Sequence, residues 1–202
     1  MLKKRQPKGK SITINIKKMA NWAKTSYRIE GSKNDLEQVF NVINDFMTGK
    51  QPPIEDGAVK EWEGNILKAL GATDEHFKNN YLRGFIQEYE LEGNLICIEA
   101  EEAWGATDFR HVLEQLMPNL TIYYIVEEWG CEIYETNDFD GKYFPERFLV
   151  DARWNGTNCS GYFETKEQME RYLTKLMEKK VDNKENGSGD NFIYTHKFEY
   201  KP

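Results

Sequence analysis

Three cysteines and three histidines are all that the 202 residues offer of the side chains most used for metal binding and nucleophilic catalysis. Cys97, Cys131 and Cys159 are odd in number and widely spaced, with no CxxC pair and no histidine near any of them in the chain. That spacing excludes the common structural zinc texts and a disulfide framework, and reads as reduced thiols, mostly buried, in a cytoplasmic protein. No apolar run approaches the roughly 20 residues that cross a bilayer. The basic N-terminus is not followed by the apolar stretch of roughly 7–15 residues that marks a secretory signal. Glycine-rich phosphate loops, a Ser/His/Asp order and an H-E-x-x-H helix are absent too. Apolar residues are scarce at 39%, but aromatic residues reach 13%, and each of these buries roughly 150–250 Å².

Charge is unevenly spread. Residues 1–24 hold eight Lys or Arg and no acid, so the net −7 of the chain becomes −15 once that +8 is set aside. A basic arm on an acidic body can bind nucleic acid or anionic lipid. The plainer reading is a solvated tail over residues 1–18, or a start codon upstream of the real one at Met19.

The stretch 84–151 carries the most structural information. Two strand-like runs, 85–91 and 95–103, meet at Glu92-Gly93-Asn94. An amphipathic helix follows on Phe109, Val112, Leu113, Leu116 and Met117, with Thr107 or Asp108 as its N-cap and Pro118 as its end. A second hairpin joins 120–127 to 131–136 at Trp129-Gly130. Upstream, Ile12, Ile14 and Ile16 suggest an edge strand and 27–31 a first strand. Ser32 caps a helix whose apolar face is Leu36, Val39, Phe40, Ile43, Phe46 and Met47. Residues 50–80 read as a helical insertion, with one helix on Val59, Trp62, Ile66, Leu67 and Leu70 and a polar connection after it. Downstream, 147–154 is a strand and Thr165-x-x-Gln168 a capping box for a helix burying Met169, Tyr172, Leu173, Leu176 and Met177. The segment 181–190 is a loose linker. A last strand, 192–200, projects Phe192, Tyr194, His196, Phe198 and Tyr200 one way.

Met19-Ala20-Asn21-Trp22, followed by Tyr27-Arg28-Ile29-Glu30-Gly31, resembles the opening of a family of uncharacterised proteins from phages, plasmids and integrative elements. That family includes the YubB-type plasmid proteins. Glu101-Glu102-Ala103-Trp104 stands where the family shows Thr-Ala-Trp-Ser-Pro. The remaining matches are Glu127-Glu128-Trp129-Gly130-Cys131, Thr136-Asn137-Asp138 and Gly141-Lys142-Tyr143-Phe144-Pro145-Glu146-Arg147. Together they run from Met19 to about Asp151. Ala23 replaces the family's cysteine, and Gly105-Ala106 replaces its Ser-Pro. The resemblance implies a ferredoxin-like domain and a mobile-element setting, and it brings no catalytic residues.

The expected architecture is α+β: a ferredoxin-like antiparallel sheet with helices on one face, plus the helical insertion, in a single domain over residues 19–202. Three apolar helical stripes are expected to cover one side of one continuous sheet, leaving its other side free. The candidate binding residues are Glu102, Trp104, Glu128, Trp129, Asp138 and Arg147. Glu99, Glu101, Glu102, Glu127 and Glu128 would bring carboxylates together at paired strand ends, as hydrolytic metal sites need; the plainer reading is solvated strand ends. Trp104 and Trp129 can stack on a ligand or plug the ends of a core. Asp138 and Arg147 are expected to pair and fix their loop, which lacks the length and terminal glutamate of an EF-hand. No cofactor and no resident metal are implied. The function expected is binding of a protein partner through an acidic surface, without catalysis. One alternative is nucleic-acid binding through residues 1–24 and the C-terminal aromatic strand; another is a small metal-dependent hydrolase.

Overall fold

The computed structural model describes residues 21–55, 58–178 and 191–202. The basic arm, the strand expected near residues 12–16 and the linker at 181–190 lie outside the described residues. In β1 (Trp22–Glu30) the odd positions Ala23, Thr25, Tyr27 and Ile29 are buried and the even ones are not, the period of two that a strand imposes. Ser32 caps α1 (Lys33–Met47): the Asp35 N–H donates to its hydroxyl oxygen at 3.2 Å. The helix buries Leu36, Val39, Ile43 and Phe46.

Residues 50–80 hold two helices where one was expected, α2 (Glu63–Ala69) and α3 (Asp74–Asn79). The second escapes the sequence pattern because a histidine takes the usual glutamate's place in its capping box. The Thr73 N–H donates to His76 Nδ1 at 3.0 Å. β2 (Gly84–Glu92) and β3 (Leu95–Ala103) form the first hairpin, turning at Gly93 with φ +61°. Then come α4 (Phe109–Leu116), β4 (Thr121–Glu128) and β5 (Ile133–Thr136). β6 (Phe148–Trp154), β7 (Thr157–Asn158) and β8 (Gly161–Phe163) precede α5 (Lys166–Glu178). β9 (Phe192–Lys197) and β10 (Glu199–Tyr200) close the chain. The Thr165–Gln168 box is present in full. Gln168 N–H donates to the Thr165 hydroxyl at 3.2 Å, and Thr165 N–H to the Gln168 side-chain oxygen at 3.3 Å.

The fold is mixed α+β, but the strands do not form one continuous layer. A six-stranded sheet runs β10-β5-β4-β1-β3-β2, antiparallel except where β10 lies parallel to β5. A smaller sheet is built around β6, with β9 along one edge and β7 and β8 following each other along the other. The helices divide accordingly. Leu36 and Phe46 of α1, Ile66 of α2 and Phe109 of α4 share one core with the inward positions of β1, β3 and β4. The third expected stripe does not join them: Met169 and Leu176 of α5 pack on Val150 and Ala152 of β6. The physical reason lies in β6, which is apolar along one face and carries one buried leucine beside Asp151 and Arg153 on the other. Val150 and Ala152 serve α5, while Leu149 turns back toward the first sheet.

The two layers meet over a small cluster of Leu149, Tyr134 and Phe198, with Ile125 against it. Phe198 stands where the last strand leaves the second sheet for the first. Its N–H donates to the Arg147 carbonyl at 3.0 Å. The expected single aromatic strand is therefore two strands in different sheets. At the far edge of the first sheet, the described residues protect β2 over its first half only. The Ile86 N–H donates to the Glu61 carbonyl at 2.8 Å, Trp62 bridges Phe85, and the register slips between Ile86 and Glu88. No helix among the described residues is long and apolar enough to cross a membrane.

Phe198 is the plug between the layers, so its truncation leaves a cavity that neither sheet can close alone. In urea denaturation Phe198→Ala is expected to lose about 3–5 kcal/mol and Phe198→Leu clearly less; an alanine variant as stable as the parent would mean that the layers hold without it.

Candidate functional site

The six residues singled out from the sequence do not form one constellation. Strand alternation sorts the glutamate cluster by parity. Glu99 and Glu101 point out with Cys97, whereas Glu102 continues the inward series Ile96, Ile98, Ala100 and is fully buried. Glu127 is half-buried on the outer side, and Glu128 is buried on the inner one. Five converging carboxylates, the premise of the hydrolase alternative, are thus not assembled. Glu128 accepts from the N–H groups of Gly130 and Cys131, fastening the turn after β4. Asp138 accepts from the N–H groups of Lys142, Tyr143 and Phe144 at 2.7–3.0 Å. Arg147 meets the same loop, but through carbonyls instead of the Asp138 carboxylate: its guanidinium donates to the oxygens of Asp138, Phe139 and Phe144. The expected ion pair is replaced by two interlocking sets of backbone bonds.

Both tryptophans remain nearly half exposed, Trp104 at 43% and Trp129 at 46%, so neither plugs a core. Trp104 adopts φ 70°, a left-handed conformation that is costly for a bulky side chain. Its N–H donates to the Asn21 carbonyl at 2.8 Å, holding the end of β3 to the start of β1. Trp129 lies edge-on to Tyr134 and to His196, and the Tyr134 and His196 rings stack at 4.1 Å. With His196 and Phe198 turned inward, the C-terminal strand does not present the five-residue aromatic platform expected of it.

Glu102 has a partner that the sequence reading passed over. Glu63, at the start of α2, is equally buried, and the Thr107 hydroxyl lies between the two. Glu102 Oε1 accepts from the Tyr27 hydroxyl at 2.8 Å and the Thr107 N–H at 3.1 Å. The Thr107 hydroxyl oxygen is 2.6 Å from Glu102 Oε1 and 2.9 Å from Glu63 Oε2. A hydroxyl has one proton for these two carboxyl oxygens, so the second contact needs a proton from the acid side, and Glu63 keeps it. Burial pushes the Glu63 carboxyl well above its ordinary 4.5, and the adjacent Glu102 pushes it further. Gly84 makes the room, because a Cβ there would stand 2.0 Å from Glu63 Oε2. One oxygen of each acid, Glu63 Oε1 and Glu102 Oε2, is buried without a hydrogen-bond partner among the described residues. The signal was present in the sequence. Glu63 precedes Ile66, Leu67 and Leu70 by three, four and seven positions, which places a carboxylate on the apolar stripe of the helix.

The outer side of the first sheet has two halves. Over β4 and β5 the second sheet covers it: Leu149 and Phe198 pack near Ile125 and Tyr134, and the Tyr162 hydroxyl donates to Glu127 at 2.7 Å. Burial raises the Glu127 carboxyl from its ordinary value, offset in part by that hydrogen bond and by Lys24 and His196. Over β2 and β3 the same side is open among the described residues, and acidic. Glu88, Glu90, Glu92, Glu99 and Glu101 lie there, faced from β1 by Lys24 and Arg28. Arg28 is already engaged, by Glu99 at 3.1 Å and by the Phe144 ring at 5.3 Å. Chemically this surface can attract cations and basic side chains, and none of the three histidines stands on it to serve as a base. No protein-family model matches the chain, and no curated protein matches it in sequence.

The buried acid pair generates a pH dependence of defined sign. The folded protein holds on Glu63 a proton that the unfolded chain releases near 4.5. This site's contribution to stability therefore falls as pH rises from that value through the raised folded-state one. Asp138 acts oppositely. Burial raises its carboxyl, but three N–H groups and Arg147 bring it below its ordinary 3.8, so its contribution is lost as pH falls. In denaturant titrations across pH, Glu63→Gln is expected to flatten the alkaline decline and to gain about 1–3 kcal/mol at pH 8, the scale of a buried polar mismatch removed. A variant with an unchanged pH slope would show that Glu63 is ionised in the folded state.

Proposed function

We propose that the protein is a non-catalytic binding module that captures a basic protein partner on the acidic face of the β2–β3 hairpin. The observation that carries this reading is the imbalance on that face: five outward carboxylates against Lys24, Arg83 at the Trp22 end and the already paired Arg28. Like charges held on one rigid sheet cost stability through mutual repulsion, and a cationic partner removes that cost while gaining the ion pairs. Electrostatic complementarity of this kind sets the choice of partner and the speed of encounter more than raw affinity.

A ferredoxin-like core is part of the proposal. Its support is the succession β1-α1-β2-β3-α4-β4 with the spatial order β4-β1-β3-β2, antiparallel throughout. Two crossovers by α1 and α4 place both helices on one side and leave the hairpin's other side available. Derivation from a mobile element rests on the sequence resemblance, all of whose matched residues except Met19-Ala20 fall within the described residues. A cytoplasmic setting fits three cysteines that are all unpaired.

Two double variants with the same charge change separate this face from net charge alone. Glu88→Lys with Glu101→Lys is expected to weaken binding of an arginine-rich peptide at low salt about tenfold or more, and Glu167→Lys with Glu170→Lys on α5 only slightly. Fluorescence anisotropy measures both, and equal losses would reject the hairpin face as the contact surface.

A further inference from the structure

The β2–β3 hairpin carries a second arrangement that the three-cysteine pattern concealed. Its register sets Glu90 directly opposite Cys97 and Glu92 opposite Leu95, and all of these project from the same side of the sheet. The Cys97 Sγ and one carboxylate oxygen each from Glu90 and Glu92 lie within 4.8 Å of one another. Acidic residues on a surface are common and signify little alone. What distinguishes this group is the thiol. Cys97 is only 9% exposed, its thiol makes no hydrogen bond among the described residues, and it lines a depression of about 200 Å³ together with Glu90 and Glu99. Neither Glu90 nor Glu92 has an ion-pair partner among the described residues. The nearby cation, Arg28 on β1, is committed to Glu99 and to the Tyr27 carbonyl.

We propose that Cys97, Glu90 and Glu92 bind one divalent cation of the zinc class on the outer face of the hairpin. The thiolate selects the metal. Carboxylates alone suit calcium or magnesium, whereas one sulfur with two oxygens suits zinc and its tetrahedral analogues, with water in the remaining position. Zinc–sulfur and zinc–oxygen bonds of about 2.3 and 2.0 Å put tetrahedral ligand atoms roughly 3.3–3.5 Å apart. Contraction from 4.8 Å to that spacing needs only side-chain rotation of the two exposed glutamates. Binding balances as thiol plus cation giving metal thiolate plus a proton, released to solvent. The site lies on the face proposed for partner binding, but it does not depend on that reading; the residues varied to test partner capture are not its ligands.

Cobalt(II) titration of the full, reduced chain tests the proposal. A thiolate-to-cobalt charge-transfer band in the near ultraviolet should saturate at one equivalent and disappear when zinc is added. The band should persist in Cys131→Ser with Cys159→Ser and vanish in Cys97→Ser. Glu90→Gln with Glu92→Gln alters exposed side chains that hold nothing else, so this variant keeps its fold; its cobalt affinity should drop about tenfold or more. No band in the parent protein, a band surviving in Cys97→Ser, or unchanged affinity in the glutamine double variant would each overturn the site.

Discussion

The Glu102 carboxylate ties three parts of the chain that sequence order keeps apart. Tyr27 reaches it from the middle of β1, Thr107 from the loop that starts α4, and Glu63 adjoins it from α2. Each of these elements buries apolar surface, yet apolar contact has no direction and would tolerate sliding. The carboxylate supplies direction, because a buried acceptor that loses its donors leaves polar groups stranded at a cost of about 1–3 kcal/mol each. The helices can therefore sit in one place on the sheet. Gly84 belongs to the same constraint, since any side chain there would occupy the space Glu63 fills.

The second sheet changes what the first can present. With α5 behind β6 and Leu149 in front, this small layer is itself sandwiched between a helix and the larger sheet. It takes the β4–β5 half of the outer side and leaves the β2–β3 half. The C-terminal strand makes the arrangement durable by belonging to both layers, as β9 beside β6 and as β10 beside β5. The remaining half adds the outward glutamates of one hairpin to a body that is acidic as a whole.

Most strands and helices were legible because period and turn chemistry agreed. The span 95–103 coincides with β3, and Ser32 and Thr165 begin their helices as their sequences imply. What stayed hidden was long-range. That α5 would serve a different sheet follows from Val150 and Ala152 facing it while Leu149 faces the first sheet, and a run such as Phe148-Leu149-Val150 says that a strand is buried without saying by what. The candidate residues were misread for a related reason. Reading Glu99 to Glu102 as one group ignored the alternation that sends Glu102 inward with Ile96 and Ile98. Cys97, by contrast, meets Glu90 across a hairpin, a proximity that linear spacing rules for metal ligands do not sample.

Among the described residues, the far edge of the large sheet is half closed and half bare. Glu61 and Trp62 satisfy the backbone of β2 as far as Ile86, the bulge breaks the register, and beyond it the strand is studded with Glu88, Glu90 and Glu92. An unpaired strand of this length would ordinarily invite a second molecule to zip onto it. Here any identical neighbour laid antiparallel along that margin would bring glutamate against glutamate, with its ladder interrupted at the slip. The same carboxylates that make the hairpin attractive to cations oppose the pairing of copies of the chain along that edge.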